Sequence, residues 1–350
     1  MGKLKIGKIK IGEKLRPKII AEISGNHNGS LVKAIKLIEA AKKSGADFVK
    51  LQTYTADTLT LNSIKKDFKI LDKKSLWTGK TLYNLYEKAY TPWEWHKKLF
   101  QVAKKNKITI FSTPFDETAV DFLEKLNTPA YKIASFENNH IPLLLKILKT
   151  KKPIIVSTGI TSKKNLDEII KIIKSHKKKD YVILKCTSSY PTNSKDVNLL
   201  GIKEMQKRYN CLVGLSDHTK GITAAIASIP LKCVLIEKHF NINYKKKGVD
   251  SEFSLLENEF KNLVTETKYA WESLGKKIIG FTNSEKKSIQ FKRSIYASKN
   301  IKKGEIFTNS NIRIIRPGFG LEPKYYFKLI GKKSKRNINF AEPIKIKDLK

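Results

Sequence analysis

Short apolar runs alternate along the chain with longer segments whose apolar positions recur at helical spacing. The runs Lys18 to Ile23, Ala46 to Gln52, Ile108 to Phe111, Ala130 to Ile133, Pro153 to Val156, Tyr181 to Leu184, Leu212 to Leu215 and Cys233 to Ile236 have strand length. Between them the pattern predicts helices over Leu31 to Ser44, Trp93 to Lys105, Glu117 to Leu126, Ile141 to Lys149, Lys163 to His176, Val197 to Tyr209 and Gly221 to Ile229, with a closing helix Leu256 to Leu274. Eight strands alternating with helices predict an α/β fold of the (β/α)8 TIM-barrel type. An open doubly wound sheet uses only the strand ends near its switch point, whereas here a polar residue stands at every strand end.

Those ends carry the candidate chemistry. His218 and His239 each follow an apolar run, and adjacent parallel strands joined by a crossover helix bring their carboxyl ends side by side. Two imidazoles meeting there suit a divalent transition metal with positions open to substrate oxygen; two unrelated polar caps are the alternative. Lys50 and Lys132 fall where a strand is buried, and a buried charge demands an anionic partner. With the hydroxyls of Thr113, Ser135 and Ser157 they form a set suited to phosphate and carboxylate. Glu22, Glu137 and Asp250 add carboxylates and Tyr190 a phenol, fit for sugar hydroxyls or proton transfer. Lyase, aldolase and phosphoryl-enol transfer chemistry all remain open at this level.

Residues 1–280 read as the barrel, with residues 53–92 inserted as a Tyr-, Thr- and Trp-rich excursion at its mouth. A linker over 281–290 precedes a change of character. From residue 291 to 350 short β-type runs (SIYASKNI, NIRIIRPGFG, PIKIKDL) separated by Gly, Asn and Pro predict a small β-rich domain. The basic amino-terminal segment, alternating Lys with Ile or Leu, predicts a hairpin.

Charge changes the picture less than its size suggests. The chain has 70 Lys and Arg against 32 Asp and Glu, a net +38, which points toward nucleic acid or an anionic surface. Only six of the basic residues are Arg, however, the side chain on which specific phosphate and base recognition leans. The Lys residues are spread over helix faces, so a Lys-rich nucleic-acid-binding module is the alternative and a general attraction for anionic substrates the main expectation. No apolar run approaches membrane-spanning length and no signal-peptide core opens the chain, so a cytoplasmic protein without membrane or nucleic-acid partners is expected. Cys186, Cys211 and Cys233, without metal-type spacing, read as reduced packing residues.

The motifs IIAEISGNHNGS, ADFVKLQTYTADTLTL, FSTPFDE, YKIASFE, VSTGI, GLSDHT, EKHF and RPGFGLEP, spread from Ile19 to Pro323, closely resemble the sialic acid synthase family. The resemblance implies a metal-dependent barrel followed by an antifreeze-like (SAF) domain, condensing phosphoenolpyruvate with an N-acylated amino sugar to give a nine-carbon acid and phosphate. It implies that His218 and His239 bind Mn2+, with Mg2+ or Co2+ as substitutes, that Lys50, Thr113, Lys132, Ser135, Ser157 and Ser188 hold phosphoenolpyruvate, and that Glu22, Glu137, Tyr190 and Asp250 face the sugar. It further implies a domain-swapped homodimer in which Arg316 of the SAF domain reaches the partner's barrel mouth, and a product destined for surface polysaccharide or flagellin glycosylation. CTSSYP in place of a neuraminate-type CTN.YP, and KKKGVDSEFSL in place of a GPDH-like run, lean toward the pseudaminate branch and a 2,4-diacetamido-2,4,6-trideoxy-altrose substrate, with neuraminate or legionaminate synthesis as the alternative.

Overall fold

The computed structural model describes residues 3–72, 77–178, 180–243, 248–276 and 279–349. The chain divides into two compact units, residues 1–275 and 276–350. In the first, β1 (Leu4–Ile6) and β2 (Ile9–Ile11) form an antiparallel hairpin. Its alternation buries Leu4, Ile6 and Ile11 and leaves the Lys side chains outside, so the apolar edge joins Phe48, Phe111 and Leu235 in one cluster.

The eight strands β3 (Lys18–Glu22), β4 (Phe48–Thr53), β5 (Thr109–Pro114), β6 (Tyr131–Ile133), β7 (Ile154–Ser157), β8 (Tyr181–Cys186), β9 (Leu212–Asp217) and β10 (Leu235–His239) close into a parallel barrel, β10 pairing with both β9 and β3. The (β/α)8 expectation is borne out. Period-two alternation splits the apolar residues into two cores. Ile19, Ala21, Val49, Ile154, Ile183 and Ile236 pack outward against the helices, while Ile20, Phe48, Phe111, Ile155, Val182 and Leu235 fill the barrel interior. Followed toward the carboxyl ends, the same inward series turns polar: Phe48 gives way to Lys50 and Gln52, and Leu235 to Glu237 and His239. The interior is therefore oily at its amino end and charged at its carboxyl end.

Helices close the outer layer where the periodicity places them, for example Leu31–Lys43, capped by Ser30 accepting from the Lys33 amide at 3.2 Å and burying Ala34, Leu37, Ile38 and Ala41. Two differ from expectation. The helix expected from Val197 starts at Gly201, because Ser194–Asp196 forms a separate 3-10 turn and Asn198 takes a left-handed φ of 51°. The run from Gly221 shortens to Thr223–Ala227, and Pro230 sits in a following 3-10 turn Ile229–Leu231, since it lacks the amide a continuing helix needs.

The excursion between β4 and the helix Trp93–Lys105 contains helices Ala56–Leu59 and Leu82–Ala89, a 3-10 turn Lys66–Phe68 and a bridge between Lys69 and Thr81. Residues 73–76 of it, and Lys245 to Lys247 of the KKKGVDSEFSL run, lie outside the described residues.

The second unit pairs β11 (Ser294–Ala297) with β12 (Ile312–Ile315) around Ile295, Ile301, Phe307, Ile312, Leu329, Ile338 and Ile344. Its third expected β run is not a strand: Pro343 makes one bridge to Tyr296 and Ile346–Asp348 forms a 3-10 turn, tied by Arg336 to Asp348 at 2.7 Å. Among the described residues no helix is long and apolar enough to cross a membrane.

Candidate active site

The carboxyl end of the barrel holds a buried charge network. Lys50 Nζ lies 3.0 Å from Glu22 Oε2 and 2.8 Å from Glu237 Oε1, and Lys132 Nζ reaches the same Glu237 oxygen at 3.5 Å. The Ser216 hydroxyl also donates to it at 3.1 Å. The anionic partners demanded by the two buried lysines are thus, in the first instance, the protein's own carboxylates. Glu237 was not singled out in the sequence, where it reads as one charge of EKHF. Its inward register, two residues before His239 on β10, is the signal that finds it.

The network sets protonation. Burial opposes charge on both lysines, but Glu22 and Glu237 overcome it at Lys50 and hold that ammonium above its ordinary range. Lys132, with less compensation, falls to about 8, chiefly through burial. Burial drives Glu22 up to about 7 against the pull of Lys50, and Glu137 likewise to about 7. Burial acts upward on Glu237 too, yet Lys132 and Lys50 keep it below the usual carboxylate range. Two carboxyl groups near neutrality and one fixed anion lie at one rim.

Around this network several buried polar atoms have no hydrogen-bond partner among the described residues: Thr113 Oγ1, Ser157 Oγ, Glu137 Oε2, Glu237 Oε2 and His239 Nδ1. Such atoms cost roughly 1–3 kcal/mol each when left unpaired, so their convergence marks a place built for a polar ligand. Gly159 carries that argument to the backbone. Its N–H donates to Ser135 Oγ at 3.1 Å, and a Cβ there would lie 2.1 Å from Ser188 Oγ and 2.6 Å from Ser135 Oγ. Thr113, Ser135, Ser157 and Ser188 therefore sit on the same rim as the lysines.

His218 and His239 converge, with ring centroids 5.4 Å apart. With His218 Nδ1–H donating to the Thr187 carbonyl at 3.1 Å, Nε2 carries the free lone pair. His239 is held neutral, far below its ordinary pKa, by burial and by the nearby His218 and Lys50 charges. Against burial, Cys186 raises the His218 pKa above its ordinary value, so His218 must give up its proton before the two imidazoles, one with an orphaned nitrogen, can serve as donors to a divalent ion. Among the described residues no group of three or more His, Cys, Asp or Glu is arranged to hold one, so the two histidines would leave most coordination positions to small molecules.

Asp250 lies 3.7 Å from His239 Nδ1 and accepts from Ser24 Oγ, while Tyr190 packs 4.5 Å from the His218 ring. Ser24 adopts a left-handed φ of 41° directly after β3, a strained geometry held by its amide donating to Glu22 Oε1 at 2.9 Å. Cys186 departs from the packing role expected of it. It is buried at the rim, 3.4 Å from Ser135 Oγ and 3.9 Å from His218 Nδ1; burial pushes its thiol up, but His218 brings it down to about 6. Cys211 and Cys233 are buried among apolar side chains, as expected.

A cavity of about 480 Å³ opens above these groups. Its floor includes Ser24, Gln52, Ser135, Glu137, His239 and Asp250, and its far wall comes largely from the excursion. Arg316 is exposed in the second unit, after β12.

The NeuB family model matches residues 37–279, and the SAF domain model matches residues 292–350. The chain belongs to the NeuB family. Among its relatives it is 47% identical to the pseudaminic acid synthase of Campylobacter jejuni (strain 81-176), over 95% of this chain and 96% of that protein. Identity to the pseudaminic acid synthase of Helicobacter pylori is 42%, covering 95% and 98%. It falls to 36% for an N,N'-diacetyllegionaminic acid synthase of Campylobacter jejuni, covering 93% and 98%. The crystal structure of an N-acetylneuraminic acid synthetase from Leptospira borgpetersenii, in complex with citrate, superposes with a TM-score of 0.73 at 29% identity, covering 83% of this chain and 96% of that one. The resemblance seen in the motifs, to sialic acid synthases and within them to the pseudaminate branch, is borne out.

Proposed function

We propose that this NeuB-family chain condenses phosphoenolpyruvate with 2,4-diacetamido-2,4,6-trideoxy-L-altrose and water, giving pseudaminic acid and phosphate. Higher identity to two pseudaminic acid synthases than to a legionaminic acid synthase favours that sugar over the alternative. The observation that carries the chemistry is the cluster of orphaned buried donors and acceptors beside Lys50 and Lys132.

In this reading Lys132 and Lys50 bind the phosphate and carboxylate of phosphoenolpyruvate. Glu237 keeps the two ammonium groups from repelling each other while the pocket waits for its anion. Thr113, Ser135, Ser157 and Ser188, with the Gly159 backbone pressed close, donate to the same oxygens. His218 and His239 would hold a divalent ion, Mn2+ by family resemblance, which when bound supplies Lewis-acid polarisation of the open-chain sugar's aldehyde.

The nucleophile is C3 of phosphoenolpyruvate, which attacks the aldehyde carbon as the C2=C3 π electrons form the new C–C bond. C2 becomes oxocarbenium-like and takes up water, and the tetrahedral intermediate expels phosphate with cleavage of the C2–O bond. Glu22, near neutrality, has the basicity to accept the proton of that water. Lys50 at 3.0 Å stabilises the carboxylate once the proton has moved on. Glu137, Asp250 and Tyr190 orient the sugar's hydroxyl and acetamido groups. Arg316 would complete the mouth from a partner subunit in a domain-swapped dimer, and the reaction would run in the cytoplasm.

The test is isotopic. With 18O in the bridging position of phosphoenolpyruvate, the label should leave in phosphate and the product should carry oxygen from water at C2. Retention of the label in the sugar acid would contradict this route.

A further inference from the structure

The chemistry is confined to strand ends, yet most of the remaining surface of the 480 Å³ cavity comes from the excursion: Leu59, Ile70, Trp77, Leu82 and Leu85, joined by Val249. Tyr54, Asp72 and Tyr86 of the excursion line the cavity as well, but the leucine, isoleucine, tryptophan and valine side chains form its apolar share and offer almost no hydrogen-bonding capacity. The Trp77 indole N–H, which could have served a hydroxyl, donates instead to the Val249 carbonyl at 3.1 Å and ties the excursion to the far side of the mouth. Close packing fixes the same edge, because a Cβ on Gly25 would lie 2.7 Å from Val249 Cγ2 and 3.0 Å from the Ala89 carbonyl. Leu85 is 7% exposed, so this wall belongs to the fold.

Floor and wall thus differ in kind. The floor bears His239, Glu137 and Asp250; with the aldehyde brought to the histidine side, as the condensation proposed above requires, the opposite end of a six-carbon chain would be directed at the wall. A hydroxymethyl group there gives up its water without replacement, whereas a methyl group gains apolar contact.

We propose that the excursion is the specificity element of the enzyme, its Leu59, Ile70, Leu82 and Leu85, joined by Val249, forming a wall that selects sugars whose C6 is a methyl group over those with a C6 hydroxyl. This rests on the condensation proposed above, and it assigns sugar choice to a segment whose described residues include none of the side chains assigned above to phosphoenolpyruvate. Apolar pockets reject an added hydroxyl by a moderate factor, so the expected preference is roughly 10- to 100-fold in kcat/KM.

The experiment compares the 6-deoxy diacetamido sugar with its 6-hydroxy counterpart of the same configuration, in the wild type and in Leu82→Asn, Ile70→Asn and Leu82→Met, each checked for a cooperative thermal transition. The wild type should prefer the 6-deoxy sugar. Either Asn variant should cut that preference at least five-fold, chiefly through the KM of the sugar, with the KM of phosphoenolpyruvate unchanged and Leu82→Met close to wild type. Two folded Asn variants, at separate positions, keep the test open should one fail to fold. A wild type that turns over both sugars equally, or folded Asn variants with an unchanged preference, would overturn this inference and leave the condensation intact. No turnover of either sugar would overturn the condensation and this inference with it.

Discussion

Lys132 offers the sharpest separation of function from fold. Lys132→Ala removes one ammonium group, yet Glu237 keeps Lys50 at 2.8 Å and the Ser216 hydroxyl at 3.1 Å, so no carboxylate is stranded. Lys50→Ala differs, because Glu22 and Glu237 both lose their nearest cation in a buried site. Breaking a buried pair from one side costs about 3–5 kcal/mol of stability, and Lys50→Ala should show that loss where Lys132→Ala does not. In activity, a buried charge on an anionic ligand is worth about 2–5 kcal/mol. Lys132→Ala should therefore lower kcat/KM for phosphoenolpyruvate between roughly 30-fold and several thousand-fold, read as phosphate release.

The same residue fixes a pH limb. With its pKa brought down to about 8 by burial, Lys132 loses its charge as pH rises through 8, and kcat/KM for phosphoenolpyruvate should fall there. Stability moves the other way: above about 8 the unfolded chain, with an ordinary lysine near 10.5, binds the extra proton, so stability rises with pH up to about 10.5. Lys132→Arg, always charged, should erase the alkaline limb even where its geometry lowers the rate. Full activity in folded Lys132→Ala, or an unmoved limb in Lys132→Arg, would refute the assignment.

Other outcomes follow from the same geometry. Gly159→Ala, whose Cβ would collide with Ser135 and Ser188 hydroxyls, should raise the KM of phosphoenolpyruvate at least ten-fold while leaving a cooperative melting transition. Lys238 and Asp217 form an ion pair at 2.9 Å with both side chains fully buried, outside the barrel behind the two histidines. Lys238→Ala strands Asp217, so about 3–5 kcal/mol of stability should be lost in denaturant titration, and Lys238→Met with Asp217→Leu should recover most of it. Chelation should abolish turnover and added Mn2+ restore it, whereas His239→Ala should show no metal-linked rise in melting temperature.

Alternation of strands and helices made the barrel legible, because a strand buried on both faces must be a continuous apolar run. Polar residues at the run ends located Lys50, Lys132, His218 and His239, since a charge at a buried register is conspicuous in any sequence. Glu237 escaped because it stands among charges in EKHF, and only the barrel's closure shows it facing Lys50 across the interior. Ser24 and Cys186 escaped for a related reason: a left-handed serine and a rim thiol have no periodicity, and both look like ordinary loop or core residues in sequence. The shortened helix at Thr223–Ala227 and the missing third strand of the second unit reflect Pro230 and Pro343, whose effects depend on local pairing. In the excursion, composition flagged an unusual segment, but the inward face of Leu59, Ile70 and Leu82 is set by packing at the mouth.

In this reading one rim joins phosphoenolpyruvate to an altro-configured diacetamido sugar. The most direct measurement is phosphate release from phosphoenolpyruvate in the presence of Mn2+, with that sugar, its manno-configured diacetamido counterpart and N-acetylmannosamine offered in parallel. Release with the altro sugar alone is the predicted result. Efficient release with N-acetylmannosamine, or silence with all three from a folded, metal-loaded protein, would contradict it.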